Sequence, residues 1–188
     1  MVEILKREVA YKGYSIIEKV TVRLDDGEEM TREVESHGRA VGVLPYDPIR
    51  KMALLVRQFR APAKLSCGAD AVLEACAGMI DGEDQVEETV RREALEELGV
   101  TLGPLSFVAT AWPSCGVSTE TMSLYLAEYA PSDRVAPGGG LADEQENISV
   151  EESSLAELAH LGADGTAVDM KLLVLVQALK LKRPDLFG

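Results

Sequence analysis

Glu93 and Glu97 stand four residues apart, with Glu96 between them and Arg92 directly before. On a helix, side chains four apart are neighbours, with Cβ atoms roughly 5–6 Å from each other. Two carboxylates held that close repel, and a divalent cation relieves the repulsion. An all-oxygen donor set of this kind suits magnesium or manganese. Such an ion ionises a bound water and stabilises charge developing on phosphoryl oxygens. The plain alternative is a solvated acidic helix face.

That chemistry needs a helix to carry it. The sequence predicts one over Asp84 to Leu98, with Asp84 and Glu87 as a capping box and Gly99 at the C-cap. At about 100° per residue, Val86, Val90, Ala94 and Leu98 form one apolar stripe. Glu97 falls about 20° from Val86, inside that stripe, and Glu93 falls about 20° to the other side. Charges in an apolar sector are out of place unless they do something there.

Around this helix the chain reads as strands and short helices. Residues 1 to 36 alternate in the strand manner: Tyr14 to Leu24 leads to a turn at Asp25-Asp26-Gly27 and the chain returns over Glu29 to Glu35, a two-stranded ribbon. Such a ribbon is marginal alone and needs a partner surface. Strands are expected over Ala40–Pro45, Lys51–Phe59, Val72–Ala77, Leu105–Thr110, Met122–Tyr129 and Asn147–Glu151. Ala61 to Asp70 and Pro131 to Gln145 read as loops. Two more helices are expected over Leu155–Leu161 and Val168–Lys182. Strands and helices mix without strict alternation, so the fold class is α+β.

Composition narrows the function classes. The 188 residues suffice for a core without staples. Acidic residues number 32 against 19 basic, a net charge of −13. That argues against nucleic acid and anionic membrane surfaces as partners. The 3 cysteines, Cys67, Cys76 and Cys115, show no metal spacing and no disulfide framework, so a reducing cytoplasm is expected. The charged start, Met1 to Glu8, lacks the apolar core of a signal peptide, and Leu172 to Leu179 is too short to span a bilayer. His37 and His160 have no metal or nucleophile motif beside them. Ser114 and Cys115 beside Gly116 do not form a nucleophile elbow. Trp112 reads as either a stacking platform or a core residue.

The segment from Gly78 to Val100 resembles the Nudix box, G-x5-E-x7-R-E-U-x-E-E-x-G-U. Gly78, Arg92, Glu93, Glu96, Glu97, Gly99 and Val100 fall on its fixed or aliphatic positions. Six identities at roughly 5–8 % usage each make a chance match at one site of order 10⁻⁷. The first glutamate of the box is Asp84 here. Outside the box, Val56 to Arg60, Leu73 to Gly78, Ser114 to Glu120 and Ala142 to Ile148 resemble the ADP-ribose and nucleoside-diphosphate-sugar hydrolase branch. The Gly138-Gly139-Gly140 loop and the acidic residues after it are more similar to its GDP-mannose hydrolases, with ADP-ribose the other candidate.

The resemblance implies a mixed-sheet α/β/α sandwich at residues 39–188. It also implies an N-terminal antiparallel β subdomain at 1–38 that makes a homodimer. The activity implied is magnesium-dependent hydrolysis of the diphosphate of a nucleotide sugar. Glu93, Glu96, Glu97 and the Ala77 carbonyl are then the metal ligands, with Arg92 orienting the carboxylates. Glu144, or else Glu146, takes the general-base role. Arg57 and Arg60 are the expected diphosphate contacts, with Glu120 and Glu74 as further candidates in the site. A nucleotide-sensing module on the same fold, without catalysis, is the competing class.

Overall fold

Alternating side chains between Ile16 and Glu35 drive pairing in the antiparallel sense. The computed structural model describes residues 1–82, 85–141 and 147–188. It places β1 (Glu3–Lys12), β2 (Ile16–Arg23) and β3 (Glu29–Ser36) in a sheet of that order. Val20 stands opposite Arg7 on one side and Arg32 on the other. Gly27 turns the β2–β3 hairpin at φ 89°, a conformation that favours glycine. The sequence reading had two strands here, and the structure has three. β1 keeps Ile4, Val9 and Tyr11 exposed, so burial imposes no alternation on it.

The chain divides into two compact units. Residues Met1–Arg39 and Ala111–Met122 form one, and Ala40–Thr110 with Ser123–Gly188 form the other. In the first, the Glu35 N–H donates to the Val117 carbonyl, and the Thr119 N–H donates back to the Glu35 carbonyl.

The second unit is built on a larger sheet. Its strands are β4 (Arg39–Asp47), β5 (Met52–Gln58), β6 (Val72–Glu74), β7 (Cys76–Met79), β8 (Leu105–Ala111), β9 (Thr121–Glu128) and β10 (Ser149–Ser154). The order is β10-β5-β4-β9-β8, with β6 on β5 and β7 on β4. β10–β5, β5–β6 and β4–β7 are antiparallel. The Thr121 N–H bonds to Gly38 and the Tyr129 N–H to Tyr46, an order that makes β4 and β9 parallel and the sheet mixed. The helices are α1 (Ala61–Cys67), α2 (Val86–Leu98), α3 (Leu155–Leu158) and α4 (Met170–Lys182). The α+β class follows directly.

The core forms where β4 and β5 are covered on both faces. Val41, Val43, Leu54 and Val56 pack with Val90, Ala94 and Leu98 of α2. Leu44 and Leu55, at intervening positions, are fully buried too. Burying one such leucine stabilises the fold by about 1.5–3 kcal/mol. On α4, Leu172, Leu175, Val176 and Leu179 are buried.

Several local expectations need correction. Residues 61–67 are helical, not a loop: Pro62 fits the first turn, and Gly68 ends the helix at φ 77°. The expected strand at 72–77 divides at Ala75 into β6 and β7. The N-cap of α2 is Gln85, without a side-chain cap bond; Asp84, the residue expected to open the capping box, lies outside the described residues. Gly99 does close α2 at φ 67°. α3 is short and carries a capping box of its own, Ser154 with Glu157.

Candidate metal and phosphate site

Glu93 and Glu97 of α2 are folded onto β7. Both are buried, Glu93 at 9 % exposure and Glu97 at 2 %. Glu97 Oε2 accepts from the Ala77 N–H at 3.1 Å. A side chain on Gly78 would overlap the carboxyl carbon and Oε1 of Glu93. The glycine of the box is therefore needed so that helix carboxylates can lie on the strand backbone. Cys76, fully buried before Ala77, has its thiol pKa pushed up by burial and then by Glu97 and Glu93.

Arg92 holds two of the acids. Its Nη2 lies 2.8 Å from Glu93 Oε1, and its Nη1 donates to Glu96 Oε2 at 2.9 Å. Burial opposes the guanidinium charge, but Glu93 and then Glu96 outweigh it and raise the Arg92 pKa. Arg92 thus contacts two of the carboxylates that the resemblance expected it to orient.

Glycines at 138–140 meet the other end of α2. The Gly139 N–H donates to the Glu97 carbonyl at 2.8 Å, and the Gly140 N–H to the Glu96 carbonyl at 3.1 Å. The Val135 and Ala136 N–H groups both reach the Gly99 carbonyl. Helix ends leave such carbonyls without partners, so this loop serves as the C-terminal cap. Gly138 sits at φ 72°, where a Cβ would collide with the Glu97 carbonyl oxygen. In the sequence this stretch read as part of a loop resembling that of the GDP-mannose hydrolases, with no capping role assigned to it. Repeated glycines beside a helix carrying site residues were the available signal.

The arginines expected at the diphosphate are both in ion pairs. Arg57 makes two bonds to Glu151, at 2.7 and 3.1 Å, across the β5–β10 ladder. Arg60 makes two to Glu74, at 2.7 and 3.0 Å. Glu74 is 4 % exposed and also accepts from Lys171. Burial alone would raise the Glu74 pKa, but Arg60 and Lys171 hold it below the ordinary carboxylate range. Lys171 was missed in the sequence, where it reads as a polar position on the last helix.

Glu120 belongs to the first unit, and its N–H donates to Ser118 Oγ. Trp112 is 63 % exposed, which removes the core reading. Nδ1 of His37 lies 4.0 Å from Glu35. Glu144 and Glu146 lie outside the described residues.

The donor chemistry fits a hard divalent cation. Glu93 and Glu97 supply buried carboxylate oxygens, Glu96 a third carboxylate one residue away, and Ala77 a carbonyl on the strand they cover. Among the described residues, no three His, Cys, Asp or Glu side chains converge into a ready-made cage. Arg92 holds Glu93 and Glu96 instead. No helix among the described residues is long and apolar enough to cross a membrane.

Known proteins resemble this chain along most of its length. The NUDIX domain model matches residues 36–171. GDP-mannose pyrophosphatase of Cronobacter sakazakii is 34 % identical over 186 residues, spanning 96 % of each chain. The protein of that name from Klebsiella pneumoniae is 32 % identical over 184 residues, covering 95 % of this chain and 91 % of the relative. A solved structure, an ADP compounds hydrolase, superposes with a TM-score of 0.78 at 19 % identity, covering 98 % of this chain and 95 % of the other. A family model spanning most of the chain, and relatives alike from end to end, leave one conclusion: the chain belongs to the Nudix family.

Proposed function

We propose that this protein is a Nudix pyrophosphatase that hydrolyses the diphosphate of a nucleoside-diphosphate sugar, with GDP-mannose the leading substrate and ADP-ribose the next. The observation that carries the reading is the pair Glu93 and Glu97, buried against the Ala77–Gly78 backbone. The relatives named GDP-mannose pyrophosphatase favour the sugar nucleotide.

Glu93, Glu96, Glu97 and the Ala77 carbonyl would hold magnesium, or manganese in its place. Such a cation, when bound, neutralises the diphosphate and activates a water. Arg92 orients Glu93 and Glu96. Arg57 and Arg60 are forked donors suited to diphosphate oxygens, and each releases a carboxylate to act so. Glu144 or Glu146 takes a proton from the attacking water. The water oxygen bonds to one phosphorus and the bridging P–O bond breaks. The products are a nucleoside monophosphate and a sugar phosphate, mannose 1-phosphate from GDP-mannose or ribose 5-phosphate from ADP-ribose. Glu120 is a substrate contact in this reading. The N-terminal sheet, residues 1–38, forms the homodimer interface, and the hydrolase domain is 39–188. Cys67, Cys76 and Cys115 are all free, as suits the cytoplasm.

The test is a panel of nucleotide sugars, ADP-ribose and dinucleoside polyphosphates with magnesium, read by chromatography. GMP and mannose 1-phosphate appearing only with the metal support the reading. Binding without products would favour the sensing module.

A further inference from the structure

Asp169 caps the last helix, and it also reaches Ala75, the residue between β6 and β7. Its Oδ1 accepts from the Lys171 N–H at 3.3 Å, and its Oδ2 from the Leu172 N–H at 3.2 Å. Oδ2 accepts a further bond, from the Ala75 N–H at 3.3 Å. The Lys171 ammonium lies 3.1 Å away and ties the same carboxylate to Glu74.

Ala75 is the residue where the strand changes partner. Glu74 pairs with Val56 of β5, and Cys76 pairs with Val43 of β4. Ala75 itself is fully buried and lies outside both strands. A buried backbone N–H at such a crossover needs an acceptor. Two residues on, the Ala77 N–H donates to Glu97. In an extended segment, residues two apart direct their N–H groups to the same edge. The Ala75–Ala77 segment is thus held along one edge by two carboxylates, Asp169 and Glu97.

We infer that Asp169 is a positioning residue for the metal centre: it fixes the crossover at Ala75, and so the placement of the Ala77 carbonyl against Glu97. This rests on reading residues 77, 93, 96 and 97 as metal ligands. Capping alone would need only the two bonds to α4, and the third bond is what ties the helix to the site.

Serine and asparagine separate the two roles, since both are good N-caps. Asparagine keeps an oxygen at the reach of Oδ2. The serine hydroxyl is one bond shorter and cannot span from the cap to Ala75. Asp169→Ser and Asp169→Asn should melt within a few degrees of each other without metal. Manganese affinity, measured by calorimetric titration of the intact protein, should fall roughly 10-fold in Asp169→Ser, the usual scale for a residue supporting metal ligands. Asp169→Asn should recover most of that loss. Turnover of GDP-mannose should follow, with KM changing less than kcat. Equal manganese affinity in the two variants, or wild-type affinity in Asp169→Ser, overturns the inference. Wild-type protein that binds no manganese overturns the metal reading itself, a result distinct from any difference between the variants.

Discussion

The Glu93 carboxyl group occupies the space that a side chain on Gly78 would fill. A helix glutamate and a strand glycine are thereby matched as one unit, fifteen positions apart in the chain. The glycine is present for its missing Cβ, and the glutamate is buried because the glycine admits it.

Gly78→Ala should therefore injure the site more than the fold. Overpacking at one methyl costs about 1–3 kcal/mol of stability. Displacing Glu93 should lower kcat about 100-fold, equal to about 2.7 kcal/mol of transition-state stabilisation. Steady-state kinetics and thermal melts of the purified variant check both. Full activity in a destabilised variant would show that Glu93 does not need its place over Gly78.

Magnesium should raise the melting temperature, and Glu93→Gln should reduce the rise. Ligand that binds only the folded state stabilises it by about 2.7 kcal/mol at a hundred times Kd. The substitution relieves repulsion within the carboxylate pair and also weakens the pairing with Arg92, so the metal-free variant should melt close to metal-free wild type. Melts at matched ionic strength exclude general screening. Equal magnesium shifts in both proteins would place the metal elsewhere.

Gly138→Ala should destabilise the cap on α2. The residue sits at φ 72°, and its Cβ would strike the Glu97 carbonyl. A loss of about 2 kcal/mol or more is expected, from left-handed backbone strain together with the collision. Gly165→Ala, at φ 84° with open space around it, is the comparison and should cost less. Urea denaturation midpoints measure the difference.

Glu152 gives a pH-dependent term away from the site. Its pairing with Arg50, at 2.7 and 2.8 Å, holds the carboxyl at about 2, with Tyr129 adding a hydrogen bond. A folded-state value below the unfolded one contributes stability that is present above the ordinary carboxylate range. That stability is lost as pH falls from there through about 2. Glu152→Gln should flatten the acid unfolding curve in that window and lower stability at neutral pH. An unchanged acid profile would contradict the pairing.

Much of α2 was legible, because its stripe from Val86 to Leu98 has one buried face and Gly99 has one conformational use. The out-of-place position of Glu93 and Glu97 on that wheel was legible for the same reason. β1 was not separated as a third strand, since a strand so exposed carries no buried face to mark its bounds. α1 was hidden because Pro62 and Gly68 also punctuate loops, and only the backbone shows them starting and ending a helix. The cap on α2 by Gly139 and Gly140, and the reach of Asp169 to Ala75, depend on backbone groups distant in sequence. No side-chain pattern encodes those contacts.

The most direct measurement is GDP-mannose hydrolysis with magnesium by wild type and Glu97→Gln, alongside their melting temperatures. Glutamine keeps an oxygen for the Ala77 N–H but removes the charge that a cation needs. The account predicts GMP and mannose 1-phosphate from wild type, at least about 100-fold less from the variant, and similar metal-free melting of the two. A Glu97→Gln protein turning over at the wild-type rate would contradict it.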